Sequence, residues 1–400
     1  MRISVANPAI IRVAGNVYAC AYGRVNMTTG FSQLMVETHT ILSGGTPITN
    51  IATGRVLPGV VSQYPFADCF LRASSPAPGI GRYLLIQYGI NNDARLGATV
   101  IDITDDGLTI DDGGFFLTPV SQVIVANGQE SVASLIPLGS LGHFAFLYHY
   151  QNIGHLCTLH MDGAGTVTVV NDVAVLGFLN QVANDSICHV AGTVYAVAYS
   201  VSGQGTIKTI NISDVGMIGA VINAATYGPG ISVGDSKILR QASGLYLVAF
   251  AGNVHPRVAT FNISDDGTTV TPLRNTLLFE GEATATPDFC TFPFLLQWQK
   301  TAYNIYLLSY RHDAGSKGAM TTFSVTASGA VVPIDNREFE ATSFGASSMV
   351  NVGDGTNKIA MAYSGFSTIV GDLGKYITFP VLAGGPMKNP AVDMAAAQLI

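Results

Sequence analysis

Charge is scarce in this sequence. Asp, Glu, Lys and Arg make up 11% of 400 residues, and the net charge of −7 comes without any basic run. Nucleic acid is therefore excluded as a partner, because no stripe of Lys and Arg is there to neutralise phosphates. Long apolar runs are missing as well. Mean hydropathy is +0.36, yet no stretch of 18 apolar residues occurs, so no membrane span is expected. The start, MRISVANPAIIRVAG, lacks the layout of a signal peptide. There is one tryptophan, Trp298, and no HExxH, GxSxG or GK[ST] motif. Without a zinc-helix signature, a nucleophile elbow or a phosphate loop, the sequence points away from an enzyme and away from a cofactor.

Apolar residues make up 48% of the chain and Gly contributes 44 positions, as expected for many short buried strands joined by tight turns. Asn184–Gly216 reads as three such strands, Ile187–Val190, Val194–Tyr199 and Thr206–Ile212, with a fourth from Met217 to Ile222. One four-stranded sheet cannot bury its apolar faces alone, so it needs copies beside it. The copies are marked by an aromatic residue ending each second strand: Tyr22, Tyr88, Tyr148, Tyr199, Phe250, Tyr310 and Tyr363, separated by 66, 60, 51, 51, 60 and 53 residues. Each third strand then meets a turn such as Asp105-Asp106-Gly107, Asp162-Gly163, Asp214-Val215-Gly216, Asp265-Asp266-Gly267 or Ser328-Gly329. Asp and Gly tolerate the left-handed geometry of hairpin turns. A period of about 50–60 residues with four strands in it is one propeller blade. The expected fold is all-β, a seven-bladed β-propeller of four-stranded antiparallel blades.

The expected boundaries are 1–382 for the propeller and 383–400 for a linker and short C-terminal helical tail, with Asn389 as cap and Pro390 in the first turn. Arg2–Val5 is expected to close the ring by pairing with the strand around Tyr376–Val381. Ser74–Gly81 and Phe292–Ala302 read as long connections between first and second strands. The five cysteines fall in different blades: Cys69, Cys188 and Cys290 in first strands, Cys20 in a second and Cys157 in a third. Residues so placed are too far apart to pair, so reduced thiols are expected.

Two sets of polar residues are candidates for a site. Asn7, Asn184 and Asp235 each stand five positions before Arg12, His189 and Arg240, with Asp68 and Arg72 and Asp288 in similar places. First strands line a propeller's channel. This set would put carboxylates and amides at one mouth with Arg and His further in, either as an axial ligand site or as Asx turns with charges paired across blades; the latter is the simpler reading. The second set is His143, His149, His155 and His160. His149 and His155 flank one turn and are the candidate metal ligands, although no carboxylate is suitably spaced. Pro390, Leu399 and Ile400 belong to a candidate assembly arm.

The repeated pattern of Gly-x-Val-Tyr-Ala-x-Ala-Tyr followed by Thr-Ile-x-Ile-Ser-Asp-x-Gly resembles the irregular seven-bladed propellers. With Trp298 the sole tryptophan, neither WD repeats nor the sialidase Asp-box fit, and the calcium loop of FG-GAP repeats is absent. Low charge with abundant Gly, Ala, Thr and Ser is similar to phage and virus tail proteins. That resemblance implies a non-enzymatic structural protein of a tail tip or fibre, made in host cytoplasm and acting outside it within an oligomeric assembly. Its partners would be other tail subunits and a glycan or protein on the host surface. A carbohydrate-binding, lectin-like propeller is the alternative, and a glycan-active hydrolase or lyase using the axial residues is the third reading.

Overall fold

The computed structural model describes residues 3–26, 32–42, 48–61, 67–88, 95–111, 116–117, 121–127, 132–139, 142–150, 153–178, 186–231, 233–242, 244–252, 256–278, 291–298, 304–312, 317–340, 344–352, 358–367, 371–381 and 386–387. Strands alternate with short turns throughout. Blade 1 is β1 (Ile3–Ala14), β2 (Val17–Asn26), β3 (Ser32–Ile41) and β4 (Ile48–Val61). Blade 2 is β5 (Ala67–Ala77), β6 (Ile80–Tyr88), β7 (Arg95–Thr104) and β9 (Ser121–Asn127), with β8 (Phe116–Leu117) between the last two. Blade 3 is β10 (Val132–Pro137), β11 (His143–Tyr150), β12 (Ile153–Met161) and β13 (Val167–Phe178). Blade 4 is β14 (Ser186–Ala191), β15 (Val194–Val201), β16 (Gln204–Ile212) and β17 (Ile218–Tyr227). Blade 5 is β18 (Ser236–Ala242), β19 (Leu245–Ala251), β20 (Pro256–Ile263) and β21 (Val270–Leu277). Blade 6 is β22 (Thr291–Trp298), β23 (Ile305–His312), β24 (Lys317–Val325) and β25 (Val331–Glu340). Blade 7 is β26 (Phe344–Asn351), β27 (Lys358–Ser367) and β28 (Gly371–Pro380). The chain is an all-β, seven-bladed propeller whose blades are mostly four-stranded and antiparallel.

First strands neighbour one another in order, β1 to β5 to β10 and onward to β26, which returns to β1, so the ring is closed. Second strands are buried through and through. β15 (VYAVAYSV) and β19 (LYLVAFA) bury nearly every residue, because both faces of a blade are covered by neighbouring blades. The core is correspondingly divided into seams. One cluster joins Tyr246, Phe250 and Phe261 of blade 5 to Val190, Val194 and Ala196 of blade 4. Another joins Leu245 and Leu247 to Tyr306, Leu308 and Phe323 of blade 6. The six anchor aromatics with described side chains, Tyr22, Tyr148, Tyr199, Phe250, Tyr310 and Tyr363, are all buried in these seams.

Antiparallel strands place the first-to-second and third-to-fourth turns on one side of the disc, here the turn side. The second-to-third connections and the links between blades lie on the other, the loop side. The turn side shows why the Asp-x-Gly repeat recurs. Gly107, Gly216, Gly267 and Gly329 close four turns in the left-handed region, with φ of 72°, 81°, 72° and 79°. Their carbonyls accept hydrogen bonds from the buried hydroxyls of Thr38, Thr158, Thr209 and Thr260 in the preceding blade, at 2.7, 2.6, 2.7 and 2.8 Å. A Cβ on Gly267 would lie 2.8 Å from Val194 Cγ1 and 3.1 Å from Thr209 Cβ. Only Gly fits the turn and the neighbour together.

Three expectations are corrected. Ile3–Val5 pairs with Asn26–Arg24 inside blade 1, not with β28. Closure comes instead from packing. Ile10, Tyr18 and Cys20 share a core with Val352, Ala360 and Ala362, and Ile10 N donates to Ser348 Oγ at 3.2 Å. Ser74–Gly81 is no loop: β5 and β6 continue through it to the Pro78-Gly79 turn, absorbing irregular residues as bulges. Phe292–Trp298 is part of the first strand β22 itself, with Leu295 buried in the seam to blade 5. Blade 7 has three strands among the described residues, edged by a single antiparallel bridge between Val381 and Met387. The expected tail helix, with Pro390, Leu399 and Ile400, lies outside the described residues. Among the described residues no helix is long and apolar enough to cross a membrane.

Candidate functional site

The inner strands carry a polar residue directly opposite a buried second-strand tyrosine. The pairs are Arg12 with Tyr18, Arg72 with Tyr83, His189 with Tyr195, Arg240 with Tyr246 and Gln297 with Tyr306. All sit at the turn-side end of their strands. Arg72 Nη1 donates to the Val13 carbonyl of blade 1 at 2.8 Å, and Nη2 donates to Ser75 Oγ at 2.9 Å. Its guanidinium lies 3.6 Å from Asp105 and 6.0 Å from the Tyr83 ring centroid. Arg240 Nη1 repeats the first of these bonds, to the Val190 carbonyl of blade 4. Arg12 Nε donates to Gly15 O at 2.8 Å and His189 Nε2 lies 2.9 Å from Gly192 O, each within its own hairpin. Burial pushes the Tyr83 and Tyr246 hydroxyls up to about 12, against the lowering effect of Arg72 and Arg240.

Asp235 separates from Arg240. Asp235 is buried just before β18, at the loop-side end, and its carbonyl accepts from Ala251 N at 3.0 Å. It stands five positions before Arg240, about 16 Å of extended chain. For this one pair the structure places the carboxylate and the cation toward opposite ends of β18. Asn7 lies within β1 at a bulge and Asp68 is second in β5. Asn184 and Asp288 lie outside the described residues, as do the side chains of Asn7 and Asp68.

The histidines divide by strand parity. His143 faces His160 across β11 and β12, their ring centroids 4.5 Å apart. Tyr148 is opposite His155, whereas His149 is opposite Gly154. Adjacent residues point to opposite faces of a strand, so His149 and His155 do not converge, and the metal pairing expected from their spacing is corrected. No group of three or more metal-ligating side chains occurs among the described residues. His155 belongs instead to a mixed network. Its Nδ1 is 3.1 Å from Asp172 Oδ1, and Tyr148 donates its hydroxyl to Asp172 Oδ2 at 2.5 Å. The Tyr148 and His155 rings stack at 4.9 Å, and Tyr150 meets His155 edge-on at 6.2 Å. These side chains face blade 2, at the loop-side end of the seam.

Several of these groups have no counterpart in the sequence reading. Arg82 holds Asp102 bidentately at 2.8 and 2.9 Å, and Asp102 raises the guanidinium pKa in turn. The same arginine reaches Gly163 O of blade 3 at 3.3 Å. Asp172 pairs through a bulged register that spacing does not reveal. The threonine bonds did leave a signal: Thr158, Thr209 and Thr260 each stand ten residues after an anchor aromatic, at 148, 199 and 250. Cys20, Cys157 and Cys188 are free thiols, and burial pushes Cys157 well up. Cys69 and Cys290 carry no described side chains.

No protein-family model matches the chain, and no curated protein matches it. Solved structures match the architecture. A protein from Lactobacillus plantarum aligns with TM-score 0.63 and 13% identity over 89% of this chain and 92% of that one. The BP39L lectin from Burkholderia pseudomallei aligns with TM-score 0.58 and 12% identity, covering 97% and 98%. KlAtg21, solved in complex with the coiled coil of AgAtg16, aligns with TM-score 0.54 and 8% identity, covering 97% and 99%. At such identities the likeness is one of fold, and it defines the class as a seven-bladed propeller. The same architecture serves the lectin and the coiled-coil-binding protein alike.

Proposed function

We propose that this chain is a binding protein rather than an enzyme, and that its ligand is a carbohydrate. The observation that carries this reading is how the axial cations are used. Arg72 and Arg240 end on backbone carbonyls of the preceding blade, and His189 ends on its own turn. Groups spent on backbone carbonyls, whether of a neighbouring blade or of their own turn, are poor candidates for acid–base work on a substrate. Recognition then falls to the loop side, where second strands end and first strands begin on rigid blades. Rigid scaffolds carrying variable connections suit recognition. The lectin of the same architecture supports the choice of ligand class.

The low charge and the Gly-rich composition favour a virion tail tip or fibre as the setting, in which glycan binding would attach the particle to its host. That setting rests on composition. A glycan array with the folded protein, followed by mass analysis of the bound glycans, tests the reading. Selective binding of intact glycans is expected. An array without binding overturns the ligand class, and shortened or modified glycans overturn the non-enzymatic role.

A further inference from the structure

We propose that the loop-side end of the seam between blades 2 and 3 is a subsite for a single neutral pyranose ring, built from Tyr150, His155 and Asp172. The proposal rests on the carbohydrate reading above and gives it a location. The first argument is chemical. An ionised carboxylate only accepts hydrogen bonds, so Asp172 Oδ1, 3.1 Å from His155 Nδ1, holds the ring proton on Nδ1. In the neutral imidazole the lone pair is thereby left on Nε2, for which no protein hydrogen bond is seen among the described residues. Tyr148 donates to the other carboxylate oxygen at 2.5 Å and stacks beneath the imidazole at 4.9 Å. The neutral ring is thus held in one tautomer and one direction.

The second argument is access. His155 and Asp172 side chains are 17% and 29% exposed, and Tyr150 is half-buried beside them. The group is reachable from solvent yet supported from below by Leu84, Ile86, Phe146 and Cys157. The third argument is singularity. Opposite the anchor aromatic, where blade 3 has His155, the other blades have Met35, Leu96, Thr206, Arg257, Ala319 and Lys375. The bond from the anchor hydroxyl to a third- or fourth-strand acceptor does recur, as Tyr22 to Glu37 at 2.7 Å and Tyr310 to Asn336 at 3.1 Å, so what blade 3 adds to that structural device is the imidazole of His155.

A pyranose offers an apolar C–H face and outward hydroxyl donors. Tyr150 supplies an aromatic surface for the first. His155 Nε2 and the spare lone pairs of Asp172 accept from the second. A site made of acceptors and carrying a carboxylate repels sugars that are themselves anionic. Neutral pyranosides are therefore selected over uronic acids.

The test uses the full chain with ¹³C-labelled histidine, titrated with the methyl pyranosides of glucose, galactose, mannose, N-acetylglucosamine and glucuronic acid. The His155 ring signal is assigned by its loss in His155→Gln. That signal should shift saturably with at least one neutral glycoside and stay still with the glucuronide. Tyr150→Ala should weaken the same binding by about tenfold, the scale of one lost contact. An unmoved His155 signal in a protein that binds glycans on an array places the sugar elsewhere and overturns the subsite while the carbohydrate reading survives. So does full affinity in folded Tyr150→Ala. Absence of binding in both assays overturns both. Should either variant fail to fold, the wild-type titration alone decides.

Discussion

Two glycines separate backbone geometry from packing. Gly267 combines a φ of 72° with a Cβ position 2.8 Å from Val194 Cγ1, whereas Gly15 has a φ of 50° and open space around it. Gly267→Ala should therefore cost about 2–3 kcal/mol, from strain plus a clash across the seam. Gly15→Ala should cost about 1 kcal/mol, the strain alone. Urea unfolding of the two variants checks the difference, and equal losses would show that the third-to-fourth turns are not wedged against their neighbours. The Asp-x-Gly repeat was legible because local turn chemistry demands it. Its second role, receiving the hydroxyls of Thr38, Thr158, Thr209 and Thr260, was not, because those bonds join residues 58 to 69 positions apart.

Strands and seams come next in size. Second strands were legible because both of their faces are covered, which leaves runs such as LYLVAFA without polar interruption. The same logic misled at β22, where Phe292–Trp298 read as a bulky connection. β8 gave no signal either, since its two residues pair in parallel with Arg55 and Val56 of another blade. Seams differ in how well their polar groups are matched. Between blades 4 and 5, Arg240 reaches Val190 O and Tyr246 lies 3.5 Å from it. Between blades 5 and 6 the corresponding residues are Gln297, Gln241 and Tyr306. There Gln297 Nε2, Gln241 Oε1 and the Tyr306 hydroxyl are buried without protein partners among the described residues. Gln241 Nε2 does donate to Val325 O at 2.8 Å. Gln297→Arg would rebuild the bond to the neighbouring carbonyl and should stabilise the protein by about 1 kcal/mol. An unchanged or lower midpoint in chemical denaturation would count against the seam as the unit that repeats.

At the scale of the molecule, the disc is held by contacts that run sideways from blade to blade, and Arg72 and Arg240 belong to that system. The number of blades was legible from seven aromatic anchors in a regular period. Ring closure was not: β1 meets β26 across most of the chain length, and the bond from Ile10 N to Ser348 Oγ spans 338 positions. The candidate axial set was half legible. Arg12, Arg72, His189 and Arg240 do occupy one position in the repeat, yet their end of the strand and their carbonyl partners depend on neighbouring blades. The His155 network escaped for a related reason, because Asp172 lies on the outermost strand beyond a bulge.

The central claim is that the axial arginines hold the ring and leave recognition to the loop side. The most direct measurement is the affinity of the Arg72→Ala, Arg240→Ala double variant for whichever glycan the wild type binds on an array, taken together with its melting temperature. The account predicts a lower melting temperature and an affinity within about twofold of wild type below the melt, since an unperturbed site loses no contact energy. Loss of binding with the melting temperature unchanged would contradict it and return the site to the axis.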